Sequence, residues 1–224
     1  MERSLTSRPL GYEQRLSLES ATATFQGALA DSPQAVGYLQ GRGIGRDTAT
    51  RFRLGFVREP LDGFERFVGW ISIPYICGEG HVVGIKFRSL SDEGQRYDIP
   101  GGQRTRLFNP AALLSTGAII CVTEGEFDAM ILSQIGLQAV GVPGTNTWKS
   151  HHWRMLEGFH RVVLFRDNDE AGSVLENELK NTNLPVVVVH PRGGKDVTIS
   201  YMAGHGDELI SLALGKAPSA PTAT

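Results

Sequence analysis

A chain of 224 residues is long enough for one or two domains that bury proper cores without disulfide or metal staples. Apolar residues make up 41% and charged residues 21%, ordinary globular usage that excludes wholesale disorder. With 22 Lys/Arg against 24 Asp/Glu the formal charge is −2, which excludes a histone-like basic binder and leaves room for a local phosphate-binding patch. Cys77 and Cys121 form no CxxC pair, so a zinc ribbon or disulfide scaffold is excluded and a reducing setting fits. The polar start MERSLTSRPLGYEQ has no signal-peptide core, and no apolar run nears the roughly 20 residues of a membrane helix. The expectation is a soluble, cytoplasmic protein with no membrane partner.

The first half reads as α+β. Ser32-Pro33 is an N-cap followed by Pro at the first helical position, opening a helix to about Gln40 that Gly41 stops. Asp47 is read as the cap of a short second helix reaching Phe52. Residues 70–77 and 81–90 read as two strands joined by the Gly78-Glu79-Gly80 turn, with Pro74 marking an edge or a bulge. Residues 97–103 (YDIPGGQ) read as irregular.

The rhythm then changes. Residues 118–123 (AIICVT) are a continuous apolar run, as in a strand covered on both faces. Phe127, Met130, Ile131, Gln134 and Ile135 follow at helical spacing. Strands at 138–142, 161–165 and 186–189 alternate with helices near 151–156, 170–180 and 207–214, the last stopped by Gly215. Such alternation implies parallel βαβ units. The tail 216–224 reads as disordered. His151-His152 reads as surface, and Trp70, Trp148 and Trp153 as core.

In parallel sheets ligands gather beyond the carboxyl ends of the strands. Here those ends carry Glu124-Gly125-Glu126-Phe127-Asp128, then Asp167-Asn168-Asp169-Glu170, then Lys195-Asp196. Carboxylates drawn together repel one another and stay ionised cheaply only beside cations. An all-oxygen set favours Mg²⁺, so the residues by themselves propose Mg²⁺-dependent chemistry on phosphates. Each acid also has a bland reading: Asp169 as a helix N-cap, Glu126 and Glu170 as first-turn acids favourable to the helix dipole. The three strand ends together favour the functional reading.

Charge is split, with 14 Lys/Arg and 12 Asp/Glu in residues 1–110 against 8 and 12 in residues 111–224. Arginine outnumbers lysine 17 to 5, which suits bidentate phosphate contact. The candidate basic partners are Arg42, Lys86, Arg88 and Arg96, with Lys195 beside Asp196; a solvated strand face is their bland reading.

The acidic motifs resemble the Toprim domain: Glu124 to Asp128 is similar to its glutamate motif, and Asp167 to Gly172 (DNDEAG) to the primase form of its DxD motif. Residues 142–147 (VPGTNT) stand where primases have a Gly-Thr loop. Tyr38-Leu39-Gln40-Gly41-Arg42-Gly43-Ile44, the Phe52–Phe56 stretch, the 73–88 hairpin and Arg96-Tyr97 with Leu107-Phe108-Asn109 resemble, in order, the start of a DnaG-type primase core. The resemblance covers about residues 36–196. It implies an α+β N-terminal primase-core subdomain (1–115) followed by an α/β Toprim domain (116–215) with a four-stranded parallel sheet. Departures are a short 56–70 stretch, Arg96 where Lys is common, Thr198 where a second acid is common, and no ligands for the family's zinc-binding module. The Lys195-Asp196 form and Glu126 are closer to phage helicase–primases.

The resemblance further implies a DNA primase, a metal-dependent nucleotidyltransferase making short RNA primers from ribonucleoside triphosphates on a single-stranded DNA template. Glu124, Asp128, Asp167 and Asp169 would be catalytic. Glu124, Asp167, Asp169 and Asp196 would hold Mg²⁺ or Mn²⁺, with no zinc. A replicative helicase and a separate zinc-binding module are the implied partners. A Toprim-type DNA nuclease and a non-catalytic single-stranded-DNA or helicase-binding adaptor are the alternatives.

Overall fold

The computed structural model describes residues 10–91, 93–103, 106–142 and 150–216. The Gly-Thr loop expected at 143–147, Trp148 and the tail beyond residue 216 lie outside these. One compact unit is built from the described residues up to Leu39 and from Ala49 to Gln103; the other from Gln40 to Thr48 and from Arg106 onward. A boundary at 115 would assign residues 40–48 and 106–115 to the first unit; they cluster with the second. Two observations account for this: the turn at 43–48 is hydrogen-bonded to Gln134, and Phe108 pairs with Gly141 as an antiparallel bridge.

The first unit is an antiparallel sheet of β1 (Gly55–Phe56), β2 (Trp70–Ile76), β3 (Val82–Ser89) and β4 (Tyr97–Asp98), in that order. Pro74 is tolerated inside β2 for a geometric reason. Its partner Ile85 sends its N–H away to Gln103 Oε1 (2.9 Å), so the missing proline N–H also faces away from β3, and β1 reaches only Ile71 and Ser72. A register shift follows between Tyr75 and Ile76.

Helix α1 (Tyr12–Leu29), which the sequence reading does not assign, packs on this sheet. Its buried residues Leu18, Ala21, Thr22, Phe25 and Leu29 do keep helical spacing, but two of the five are too small or polar to announce an apolar stripe. Phe25 meets Phe64 and Phe87 edge-on, and Phe67 stacks on Phe87 at 3.9 Å. Burying each such ring is worth about 1.5–3 kcal/mol. Helices α2 (Pro33–Gly41) and α3 (Arg46–Arg51) follow; Ser32 Oγ caps α2 at Ala35 N, as expected, whereas Asp47 lies inside the first turn of α3 rather than before it.

The second unit contains β5 (Ile119–Thr123), α4 (Glu126–Gln134), β6 (Ala139–Gly141), α5 (Ser150–Arg154), β7 (Arg161–Phe165), α6 (Glu170–Lys180), β8 (Val186–Val189), α7 (Val197–Met202) and α8 (Gly206–Leu214). The four strands form a parallel sheet, as expected, and stand in the order β6-β5-β7-β8. The chain leaves β5 for β6 on one side and returns to place β7 on the other. That reversal opens a crevice beyond the ends of β5 and β7, where parallel sheets bind ligands. Ile120, Val122, Val162 and Leu164 are wholly buried between the helices, which explains the continuous apolar runs. Trp153 packs on this core, and His152, expected at the surface, is buried. Helix α7 is not evident from VTISYM, whose β-branched residues disguise it; Asp196 opens it as N-cap.

Candidate active site

Glu124 leaves β5 and Asp167 leaves β7, the two strands that flank the reversal. Glu124 Oε1 accepts the Asp167 backbone N–H at 3.2 Å, which joins the two strand ends directly. Gly172 makes the approach possible. A Cβ there would stand 2.3 Å from Asp167 O and 2.6 Å from Glu124 Oε1, so any other residue would push both acids aside. The Ala-Gly of the DxD motif thus has a steric cause at its glycine.

Asp169 Oδ1 caps α6 by accepting Gly172 N–H at 3.0 Å, and its Oδ2 pairs with Lys195 Nζ at 2.8 Å. The capping reading and the site reading therefore hold for one side chain at once. Asp196 Oδ1 caps α7 by accepting Ile199 N–H at 2.8 Å. Asp128, buried in the first turn of α4, accepts Thr198 N–H and Thr198 Oγ1–H, both at 2.8 Å. Thr198, which stands where the family often has an acid, is here a donor that holds an acid.

The electrostatics follow from this packing. Burial, with repulsion from Asp128, Glu124, Asp196 and Asp169, pushes Asp167 up to about 8. Burial likewise pushes Glu124 up to about 7, opposed by the Asp167 N–H and reinforced by Asp169 and Asp128. Asp128 rises to about 6, mainly by burial and by Asp196, against the Thr198 bonds and Arg42. Lys195 is raised by its bond to Asp169. Protein cations thus leave the Glu124–Asp167 pair undercompensated, and an all-carboxylate set of this kind fits a hard divalent ion. Among the described residues no three His, Cys, Asp or Glu side chains are gathered into a ready ligand shell, so waters or substrate oxygens would complete one, the usual habit of Mg²⁺.

The basic candidates separate. Arg42 lies in the second unit, its guanidinium 5.8 Å from the Phe127 ring centroid, close enough to act on Asp128. Lys195 and Arg96 are exposed, and Lys86 is half-buried with its ammonium 4.5 Å from the Tyr97 ring centroid. Arg88 is a correction. Placed by the sequence reading on a phosphate-facing surface, it is fully buried, donates to the carbonyls of Ser91 and Arg96, and lies over the Tyr38 and Tyr97 rings. The pleat of β3 sends it to the face opposite Phe87, where the Tyr38 and Tyr97 rings cover it and it braces the connection to β4.

Two residues escape the sequence reading, Asn168 at the site and Gln134 at the far end of α4. Asn168, between the two Asp residues, ties the ends of β7 and β8: its N–H donates to Lys195 O at 2.9 Å and its amide to Gly194 O at 3.3 Å. Gln134 falls by its spacing on the apolar face of α4; a polar residue on that face is the available signal.

Residues 121–198 match the profile of the Toprim-like family. The Gene 57 protein of Mycobacterium phage D29 is 31% identical over 146 residues, 95% of that protein and 63% of this chain. The DNA primase of Helicobacter pylori is 25% identical over 215 residues, 79% of this chain and 38% of that protein. The chain therefore spans about two fifths of the length of that bacterial primase. Among solved structures, the RNA polymerase domain of Mycobacterium tuberculosis primase DnaG, in complex with a double-stranded DNA oligomer with a 6-nucleotide overhang, superposes with a TM-score of 0.75 at 20% identity, covering 94% of this chain and 82% of that one. No helix among the described residues is long and apolar enough to cross a membrane. With its parallel-sheet order, its acids at the β5 and β7 ends and these relatives, the chain belongs to the family of DnaG-type primase cores with a Toprim domain.

Proposed function

We propose that the chain is the catalytic part of a DNA primase, joining ribonucleoside triphosphates on a single-stranded DNA template into short RNA primers. The observation that carries this reading is the Glu124–Asp167 pair, joined at 3.2 Å across the β5/β7 strand ends and pushed up to about 7 and about 8 by burial first and by neighbouring carboxylates second. The solved relative in complex with DNA supports a nucleic-acid substrate.

Glu124, Asp167 and Asp169, with Asp196 at the next strand end, would hold Mg²⁺ or Mn²⁺. Bound there, a divalent cation supplies neutralisation of the charge that develops on phosphate oxygens. The 3′-hydroxyl of one nucleotide attacks the α-phosphorus of the next, a P–O bond forms, and pyrophosphate leaves. Glu124, at the end of β5, would help hold the cation or take the hydroxyl proton. Asp128, held by Thr198, supports the acids from behind. Lys195 stands beside Asp169 to meet phosphate, and Arg42, Lys86 and Arg96 supply phosphate contacts for nucleotide or template. A replicative helicase and a separate zinc-binding module are the partners this reading assigns, in a phage-type replication system.

The test is incubation with single-stranded DNA, labelled ribonucleotides and Mg²⁺ or Mn²⁺, with and without a helicase and a zinc-binding module. Template-dependent oligoribonucleotides that vanish with Asp167→Asn are expected. DNA cutting without ribonucleotides, alongside no synthesis under any combination, would overturn the reading.

A further inference from the structure

Gln134 ends α4 on a face that is otherwise apolar. Its side-chain amide makes four hydrogen bonds to segments distant in sequence. Oε1 accepts from Gly45 N–H at 2.9 Å and Thr48 Oγ1–H at 2.7 Å, and Nε2 donates to Gly43 O at 2.9 Å and to the Tyr201 hydroxyl at 3.2 Å. The partners fix which end is which, because a backbone N–H can only donate and a carbonyl can only accept.

The turn that Gln134 grips is seated closely. Gly43 has φ +73°, and a Cβ there would stand 2.9 Å from both Met202 Sδ and Tyr201 Cδ1 of α7. Ile44 beside it is buried. Arg42 immediately precedes this turn and lies over Phe127 of the same α4 that carries Asp128. An amide with both N–H groups and its oxygen engaged in this way sets the turn to within the tolerance of its hydrogen bonds.

We propose that Gln134 is a positioning residue, whose amide fixes the 43–48 turn so that Arg42 meets the phosphates of a nucleoside triphosphate at the acidic strand ends. The inference rests on the functional reading above and assigns the chemistry of one edge of that site. Arginine binds phosphate through a rigid planar fork, so its contribution depends on the fork's placement. A slackened turn keeps the charge and loses the geometry.

The experiment uses the full chain and ATP with Mg²⁺ as the probe, with binding measured by calorimetry. Variants are Gln134→Leu, Arg42→Gln and the double variant, with Gln134→Glu, which keeps the acceptor oxygen for Gly45 and Thr48, as the second variant should the leucine one fail to fold. Gln134→Leu and Arg42→Gln are each expected to weaken ATP binding about tenfold, the scale of one charge-assisted bond. The double variant is expected to bind no more weakly than Arg42→Gln alone, and Gln134→Glu to fall between wild type and Gln134→Leu. Losses that add to about a hundredfold in the double variant would show that Gln134 acts without Arg42 and overturn the inference. So would unchanged binding in Gln134→Leu, or no ATP binding by the unaltered chain. Coupled binding without primer synthesis would leave the inference standing and overturn the functional reading, so the two failures are separable.

Discussion

Replacing Asp167 by asparagine should stabilise the protein when no divalent ion is present. Asp167 is held at about 8 against an ordinary 3.8, by burial first and by four neighbouring carboxylates second. At about 1.4 kcal/mol per unit, ionising it without a cation costs about 6 kcal/mol as an upper bound. Water reaches this half-buried group and its titration is coupled to that of Glu124, which reduce the measurable part to about 1–3 kcal/mol. The sign follows from proton counting. Between about pH 4 and pH 8 the folded chain keeps a proton that the unfolded chain has released, so stability falls as pH rises through that window and levels off above it. The uncharged amide of the variant carries no such penalty. In chelator, the melting temperature of Asp167→Asn should match wild type near pH 4 and exceed it at pH 8 by roughly 2–10 °C, measured by scanning calorimetry. Adding Mg²⁺ should raise wild type and leave the variant nearly unmoved. A variant less stable than wild type at pH 8 in chelator, or a difference independent of pH, would refute the electrostatic account of the site.

Other outcomes follow from the same geometry. Gly172→Ala inserts a methyl 2.3 Å from Asp167 O and 2.6 Å from Glu124 Oε1, so it should destabilise by about 1–3 kcal/mol and abolish Mg²⁺-dependent stabilisation, both read in thermal melts. Arg88→Ala removes a buried guanidinium bonded to two carbonyls; it should cost about 2–4 kcal/mol in urea unfolding and leave the salt dependence of DNA binding unchanged. A slope that falls by about one would instead make Arg88 a phosphate contact.

The parallel sheet was legible because its central strands are buried on both faces and so read as apolar runs between helices, as 119–123 and 161–165 show. The acidic site was legible because strand ends are sequence-local: Glu124 follows β5 directly, and Asp167 and Asp169 lie in the short turn after β7. Features that depend on long-range packing were not. Helix α1 hides behind Ala21 and Thr22, whose small size suits a close helix–sheet contact and dilutes the apolar signal. Helix α7 hides behind β-branched residues, and its cap at Asp196 is visible only once the helix is known. Arg88 is charged, yet the pleat of β3 and the Tyr38 and Tyr97 rings give its guanidinium an interior place that no local pattern announces. Gln134 bonds to residues 86 to 91 positions earlier in the chain, a link that sequence spacing does not encode.

The most direct measurement is anomalous diffraction from crystals of the full chain soaked in Mn²⁺. The expected result is a manganese peak at coordination distance from Asp167, at the β5/β7 strand ends, that is lost in Asp167→Asn together with template-dependent ribonucleotide incorporation. A peak remote from Glu124, Asp167 and Asp169, or incorporation that survives Asp167→Asn, would contradict it.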